Sequence, residues 1–226
     1  MNEQRISSKH SGAKKLAIIF ACLLAFIAGI LIWQQFPAAV ETPQPLSVIE
    51  TQSATLLPQL KTLPPFSLTD QHGRPFTNET LQGHWTFLNF GYTHCPDICP
   101  TTLAMLSAMD KQLLPAREST RYQVAFISID PERDSRQRMA EYIDYFEPSF
   151  LGVTGDDDEL KRVTQPLGIL YAKVMTENSA MGYVMDHSAS IILIDPQGQY
   201  HALFSPPHDP GVMADDFLAI SKNFRE

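Results

Sequence analysis

Basic residues are scarce in most of this chain. Beyond residue 33, thirteen Lys and Arg face twenty-four Asp and Glu, a local balance of −11 in a chain of formal net charge −8. So acidic a body excludes a nucleic-acid binder, since neutralising phosphates takes clustered Lys and Arg. Cysteine is sparse as well, with three residues at 22, 95 and 99. No internal repeat or low-complexity tract stands out. The 226 residues suffice for one domain with a proper core and not for two comfortable ones. Apolar and charged contents are ordinary for a globular protein, which argues against disorder away from the ends.

The start of the chain reverses the charge trend. Arg5, Lys9, Lys14 and Lys15 stand against Glu3 alone. They precede an uninterrupted apolar run of 18 residues, Leu16 to Trp33. At helical rise this run spans roughly 27 Å, close to the hydrocarbon thickness of a bilayer. Trp33 sits at its far end, where aromatic rings favour the interface. The expectation is a single transmembrane helix over 16–33, with residues 1–15 as a cytoplasmic tail. The positive-inside rule then places the rest of the chain on the periplasmic or extracytoplasmic side of the inner membrane. A cleaved signal peptide is the competing reading, but its apolar region is shorter and ends at a small-x-small site. Phe36-Pro37-Ala38-Ala39 is a poor one. Cys22 reads as a small hydrophobe in the run, since Phe20 spoils a lipoprotein signal. Residues 34–63 are rich in Pro, Thr and Gln and read as a linker.

From residue 64 to 226 strands alternate with helices. Phe66 to Thr69 and Arg74 to Thr77 read as a hairpin around Gly73. Trp85 to Phe90 is a continuous apolar strand, and Thr101 to Leu114 carries apolar residues at helical spacing. Strands are expected at Tyr122 to Ile129, Phe150 to Thr154, Leu170 to Met175, Ser190 to Ile194 and Tyr200 to Phe204. Helices are expected at Ser135 to Phe146, Asp157 to Leu167 and from Pro210 or Gly211 to Phe224. This pattern predicts an α/β sheet with helices on both faces.

The chemistry concentrates in Cys95-Pro-Asp-Ile-Cys99-Pro, which joins a buried strand to a helix. Cysteines at i and i+4 on the first helical turn share a face. The free N–H groups there favour thiolate. Two thiolates serve as a dithiol nucleophile or as soft metal ligands. A structural disulfide is a third reading, though packing already holds such a turn. A dithiol oxidoreductase usually has two residues between its cysteines and a proline before the later core strand. Here there are three, and that later segment, Asp186-His-Ser-Ala-Ser-Ile191, has no proline. It offers His187 instead, at the start of an apolar strand. A lone histidine is more often a surface or hydrogen-bonded residue than a ligand. With two thiolates it completes an open three-ligand site for copper or zinc, and composition does not choose between them.

Thr93-His-Cys-Pro-Asp-Ile-Cys-Pro100, Asp130-Pro-Glu-Arg-Asp134 and Asp186-His-Ser188 followed by Ile192-Leu-Ile-Asp195 resemble the Sco/SenC family. The similarity runs over about residues 63–224, with the motifs in the expected order. It implies a thioredoxin-like fold and copper, as Cu(I) or Cu(II), bound by Cys95, Cys99 and His187. It also implies a metallochaperone role at the binuclear copper centre of cytochrome c oxidase subunit II. A further periplasmic copper donor would then be a second partner. No turnover of a small molecule is expected. The alternative is a thiol-disulfide reductase acting on the cysteines of that subunit through a redox-active Cys95–Cys99 pair. A thiol peroxidase shares the fold but needs Thr three residues before its Cys, whereas Thr93 is two before Cys95.

Other residues invite plainer readings. His94 precedes the helix and is expected to point away. Met105 and Met109 read as core, and Met175, Met181 and Met185 as loop and strand filling. Asp130 and Asp134 read as turn, cap and ion-pair residues near the site. Asp97 could tune the cysteines or meet a partner. Asp156 to Glu159 is a solvated helix start.

Overall fold

The computed structural model describes residues 19–29, 49–176 and 182–224. The chain divides into two units, Met1–Leu46 and Ser47–Glu226. In the first, residues 19–29 form a helix, α1, with exposed Ile19, Phe20 and Phe26. Among the described residues no helix is long and apolar enough to cross a membrane. The remainder of the apolar run from 16 to 33 lies outside them.

The second unit contains, in order, β1 (Ala54–Thr62), β2 (Ser67–Asp70), β3 (Pro75–Thr77), β4 (Trp85–Gly91), α2 (Ile98–Leu113), β5 (Tyr122–Ser128) and α3 (Arg136–Phe146). Then follow β6 (Leu151–Thr154), α4 (Asp157–Thr164), β7 (Tyr171–Met175), β8 (Tyr183–His187), β9 (Ile191–Ile194), β10 (Gln199–Phe204) and α5 (Pro210–Asn223). Among the described residues eight strands make one sheet in the order β1-β10-β9-β4-β5-β6-β2-β3, while β7 and β8 pair separately. The β4–β5–β6 centre is parallel, as strand-helix-strand units require. The β9–β10 hairpin adds antiparallel to β4. All seven residues of β4 are buried, so both faces of the central strand are covered.

Helix ends follow local chemistry. Ser135 and Asp156 accept N–H bonds as N-caps of α3 and α4, and Asp209 caps α5 with Pro210 at its first position. Gly73, at φ +83°, supplies the positive φ of the β2–β3 turn.

Three expectations need correction. The segment 34–63 is not all linker: β1 lies in it and pairs antiparallel with β10, so the folded unit begins before residue 64. Its pattern was obscured because β1 is an edge strand with mostly exposed or half-exposed side chains, which carry no apolar alternation. The stretch after β7 read as polar holds another strand, β8 (Tyr183 to His187), only one of whose five side chains is buried. Finally, α2 begins at Ile98 rather than Thr101.

The start of β1 is anchored by a carboxylate. Asp216 on α5, 3% exposed, accepts the backbone N–H groups of Gln52, Ser53 and Ala54 and the Ser53 hydroxyl. Burial alone would raise its pKa, but these donors outweigh it and hold the carboxyl below its ordinary 3.8. A depressed folded pKa contributes stability that is complete above the unfolded value and vanishes as pH falls through the folded one. Asp216→Ala should therefore destabilise the domain at neutral pH by about 3 kcal/mol, the scale of charge-assisted bonds left unmade. The deficit should shrink as pH falls below the ordinary 3.8. Urea melts at pH 7 and pH 3 measure both, and an equal loss at the two pH values would remove the carboxylate's charge from the explanation.

Candidate metal centre

The site forms at the C-terminal end of β4, where parallel strands of such sheets commonly present ligands. Gly91 ends β4, and the chain turns through Tyr92 to Asp97 before α2. Cys95 lies in this turn and Cys99 at the second residue of the helix, so the two do not share the first helical turn as expected. They still converge. The Cys99 N–H points at Cys95 Sγ at 3.4 Å, using a free donor of the helix start on a sulfur. Cys99 is 2% exposed, whereas Cys95 is half-buried.

His187 reaches these sulfurs from the far end of β8, and not from the start of the apolar strand β9. Its register partner on β7 is Tyr171. The hairpin's end is tied by Ser188 N–H to the Leu170 carbonyl at 3.0 Å and by Leu170 N–H to Ser188 Oγ at 3.2 Å. His187 Nδ1 lies 2.9 Å from the Ser188 carbonyl. A carbonyl only accepts, so Nδ1 carries a hydrogen and Nε2 is left facing the sulfurs. Cys99 Sγ is 3.5 Å from Nε2, and the ligand atoms of Cys95, Cys99 and His187 all lie within 4.8 Å of one another. The Tyr92 ring stands edge-on to the imidazole at 6.2 Å between centroids.

Electrostatics divide the two thiols. The neighbouring Cys99 thiol, then His187 and the N–H groups of Asp97 and Cys99, hold the Cys95 pKa far below the thiol range, against burial. The Cys95 sulfur, with burial, pushes Cys99 up. Burial alone would lower the His187 pKa, but Cys95, the Ser188 carbonyl and Asp186 outweigh it and raise it. The result is one half-buried thiolate, one protected thiol and one imidazole. Two sulfurs and an imidazole nitrogen suit copper or zinc and offer an open coordination position. A metal would displace the thiol proton of Cys99, so its binding releases protons.

The remaining candidates separate from this centre. His94 Nδ1 turns to Thr93 Oγ1 at 3.1 Å and Asp134 Oδ1 at 3.4 Å. Met109 and Met185 are buried in the core, and Met175 is exposed; Met181 lies outside the described residues. Asp97 is the N-cap of α2 but makes no side-chain cap bond. A cavity of about 650 Å³ opens at the opposite end of β4 beside Trp85 and Arg121 and holds none of the three candidate ligands.

Two features of the site emerge only in the structure: the space at Gly91, which sequence reasoning missed, and the partner of Asp134, which it read as a turn, cap and ion-pair residue near the site. Gly91 is required by packing: a methyl group there would stand 2.6 Å from Cys99 Sγ and 2.8 Å from the Phe126 ring. Asp134, 1% exposed, accepts the Thr93 N–H at 2.9 Å and the Thr93 hydroxyl at 2.6 Å. It thus anchors the turn two residues before Cys95. Its motif was visible, but its partner lies 41 residues away, beyond any local pattern.

A mixed α/β sheet whose central strand leads into a cysteine pair, met by a histidine from a separate hairpin, defines a thioredoxin-like protein with a dithiol–imidazole centre. The family model described as SCO1/SenC matches residues 55–222, and the chain belongs to that family. It is 36% identical to the mitochondrial SCO1 homolog 1 of Arabidopsis thaliana over 72% of this chain and 48% of that one. It is 39% identical to the SCO2-like protein RP587 of Rickettsia prowazekii over 60% of this chain and 65% of the other. The chain thus spans about half to two thirds of the length of these relatives. Among solved structures, Arabidopsis thaliana ScoI with copper bound superposes with a TM-score of 0.64 at 35% identity, covering 71% of this chain and 96% of that one. Bradyrhizobium japonicum ScoI with copper bound gives 0.62 at 36% identity, covering 70% and 98%.

Proposed function

We propose that this chain is a membrane-anchored copper carrier that loads the binuclear copper centre of cytochrome c oxidase subunit II. The observation that carries the reading is the convergence of Cys95, Cys99 and His187 within 4.8 Å. It gains support from two relatives solved with copper bound. Copper is the cargo here, held by two sulfurs and one nitrogen and received from another carrier on the same side of the membrane. The open coordination position gives an acceptor's thiolate or imidazole a place to attack, so that cargo passes by ligand exchange.

The reduced protein is expected to bind one copper per chain, and Cu(II) to show thiolate-to-metal charge-transfer absorption. Cys95→Ser, Cys99→Ser and His187→Ala should each weaken binding strongly, while His94→Ala leaves it near the parent value. Metal analysis and visible spectra of the five proteins test this; unchanged Cu(I) and Cu(II) binding in His187→Ala would remove the third ligand.

A thiol-disulfide reductase is the second reading, favoured by the contrast between the Cys95 thiolate and the protected Cys99. The Cys95 sulfur would attack a disulfide in the subunit, forming a mixed disulfide and releasing one subunit thiolate. Cys99 would then lose its proton and attack the Cys95 sulfur, releasing the second. The subunit gains two electrons, and the chain ends as the Cys95–Cys99 disulfide. Copper supplementation distinguishes the readings: it should restore oxidase assembly in a Cys95→Ser strain only if delivery is the main role.

The anchor is the apolar run from 16 to 33, with residues 1–15 cytoplasmic and the folded unit on the periplasmic side of the inner membrane. Protease added to spheroplasts should digest the domain and spare a cytoplasmic N-terminal tag. A domain protected until lysis would reverse the orientation.

A further inference from the structure

The hairpin carrying His187 is held by a loop from elsewhere in the fold. β7 and β8 stand apart from the eight-stranded sheet, and an isolated two-stranded hairpin is marginally stable in water. The place of His187 therefore depends on the tethers of that hairpin. Residues 130–134, between β5 and α3, supply several at Tyr183, the first residue of β8.

The Arg133 guanidinium lies 3.6 Å from the Tyr183 ring centroid and donates through Nη1 to the Tyr183 carbonyl at 3.1 Å. The Tyr183 hydroxyl donates to Asp130 Oδ1 at 2.8 Å, and Asp130 Oδ2 accepts from Arg133 Nε. Arg133, Tyr183 and Asp130 thus close a ring of contacts. Lys173 on β7 adds a cation 4.3 Å from the same ring centroid and pairs with Glu132 at 2.7 Å. The Arg133 and Asp130 side chains are 16% and 1% exposed, a setting in which losing one partner of an ion pair is costly. Guanidinium is suited to this place because one planar group stacks and donates in two directions. The next residue, Asp134, holds the turn before Cys95 through Thr93, and the Ser128 hydroxyl donates to it at 2.7 Å.

We propose that the loop 130–134 sets the spacing between the dithiol and the third ligand, with Arg133 as the positioning residue for His187 and Asp134 as the positioning residue for Cys95. This rests on the reading of those three side chains as ligands. The two arms of the loop are separable. Loss of Arg133 frees β8 and withdraws the guanidinium that stands 5.5 Å from the Tyr92 ring centroid, but leaves the Asp134 bonds to Thr93 that hold residues 93–99; loss of the Asp134 charge loosens that turn and leaves the hairpin tethered.

Amide hydrogen exchange on the reduced, metal-free full chain tests the division without copper. Arg133→Gln should speed exchange across residues 183–188 and leave residues 93–99 unchanged. Arg133→Lys, which keeps the charge but not the planar fork, should behave alike. Asp134→Asn should show the converse pattern. Copper affinity of the Arg133 variants should fall by about 10–100-fold, as for other residues that orient a ligand, with the Cys95–Cys99 reduction potential unmoved. Asp134→Asn should move that potential. If Arg133→Gln fails to fold, Tyr183→Phe, which deletes one hydroxyl, should still speed exchange at 183–188. Parental exchange at 183–188 in the folded Arg133 variants, or equal acceleration at both segments, would overturn the proposal. A parent chain that binds no copper while exchange divides as stated would sink the ligand reading and leave the tether standing.

Discussion

Closing Cys95 and Cys99 into a disulfide should abolish copper binding, and reduction should restore it. The two sulfurs sit in one cluster with His187, and the Cys99 backbone N–H already points at Cys95 Sγ. An S–S bond of about 2.05 Å needs only a modest approach of the turn to the helix start. Closure passes two electrons and the Cys99 proton to an external disulfide, which leaves as one thiol and one thiolate. The closed pair then has no anionic sulfur, and one imidazole is a poor substitute for three soft or borderline ligands. The half-buried Cys95 thiolate should start the exchange and the more deeply buried Cys99 finish it, as their opposite pKa directions require. The chain should therefore alternate between a loadable and an empty form. Copper content measured after treatment with oxidised glutathione, and again after reduction, gives the answer. One equivalent retained by a chain with no titratable thiol at 95 and 99 would defeat the switch.

Gly91→Ala should cost both stability and site geometry. The added methyl would meet Cys99 Sγ at 2.6 Å and the Phe126 ring at 2.8 Å, and both neighbours are buried. Neither is the free end of a flexible chain, so the turn or α2 must shift. Overpacking of this kind costs about 1–3 kcal/mol, hence a fall of about 2–12 °C in Tm for a domain of this size. Because the shift falls on a candidate ligand, copper affinity should drop beyond what the stability loss implies. A double-mutant cycle isolates the cause. Combining Gly91→Ala with Cys99→Ala removes one of the clashing atoms, so the pair should lose less stability than the two single losses added. Strict additivity would place the strain elsewhere.

Much of the architecture was readable in the order of residues. The apolar run at β4, the cap residues Ser135 and Asp156, and Pro210 opening α5 carry local physics, so each announces its element. The ligand triad was named from Cys95-Pro-Asp-Ile-Cys99 and Asp186-His-Ser188, because motif chemistry is local too. The misreadings were of another kind. The edge strand β1 and the hairpin strand β8 have few fully buried side chains, so no apolar period marks them; backbone pairing makes them strands, β1 with the distant β10 and β8 with its hairpin neighbour β7. Cys95 was set on the helix by its spacing, yet it sits in the turn ahead.

By itself the sequence determined an acidic domain after an apolar run, an alternating sheet and helix order, and which three side chains could share a metal. Tertiary structure decided how they meet: His187 comes from a separate hairpin, Asp134 and Arg133 fix the two arms, and Gly91 leaves space for the sulfur of Cys99. The reason is separation along the chain. Residues 88 apart, as Cys99 and His187 are, share no local period; only sheet order and packing bring them within bonding distance.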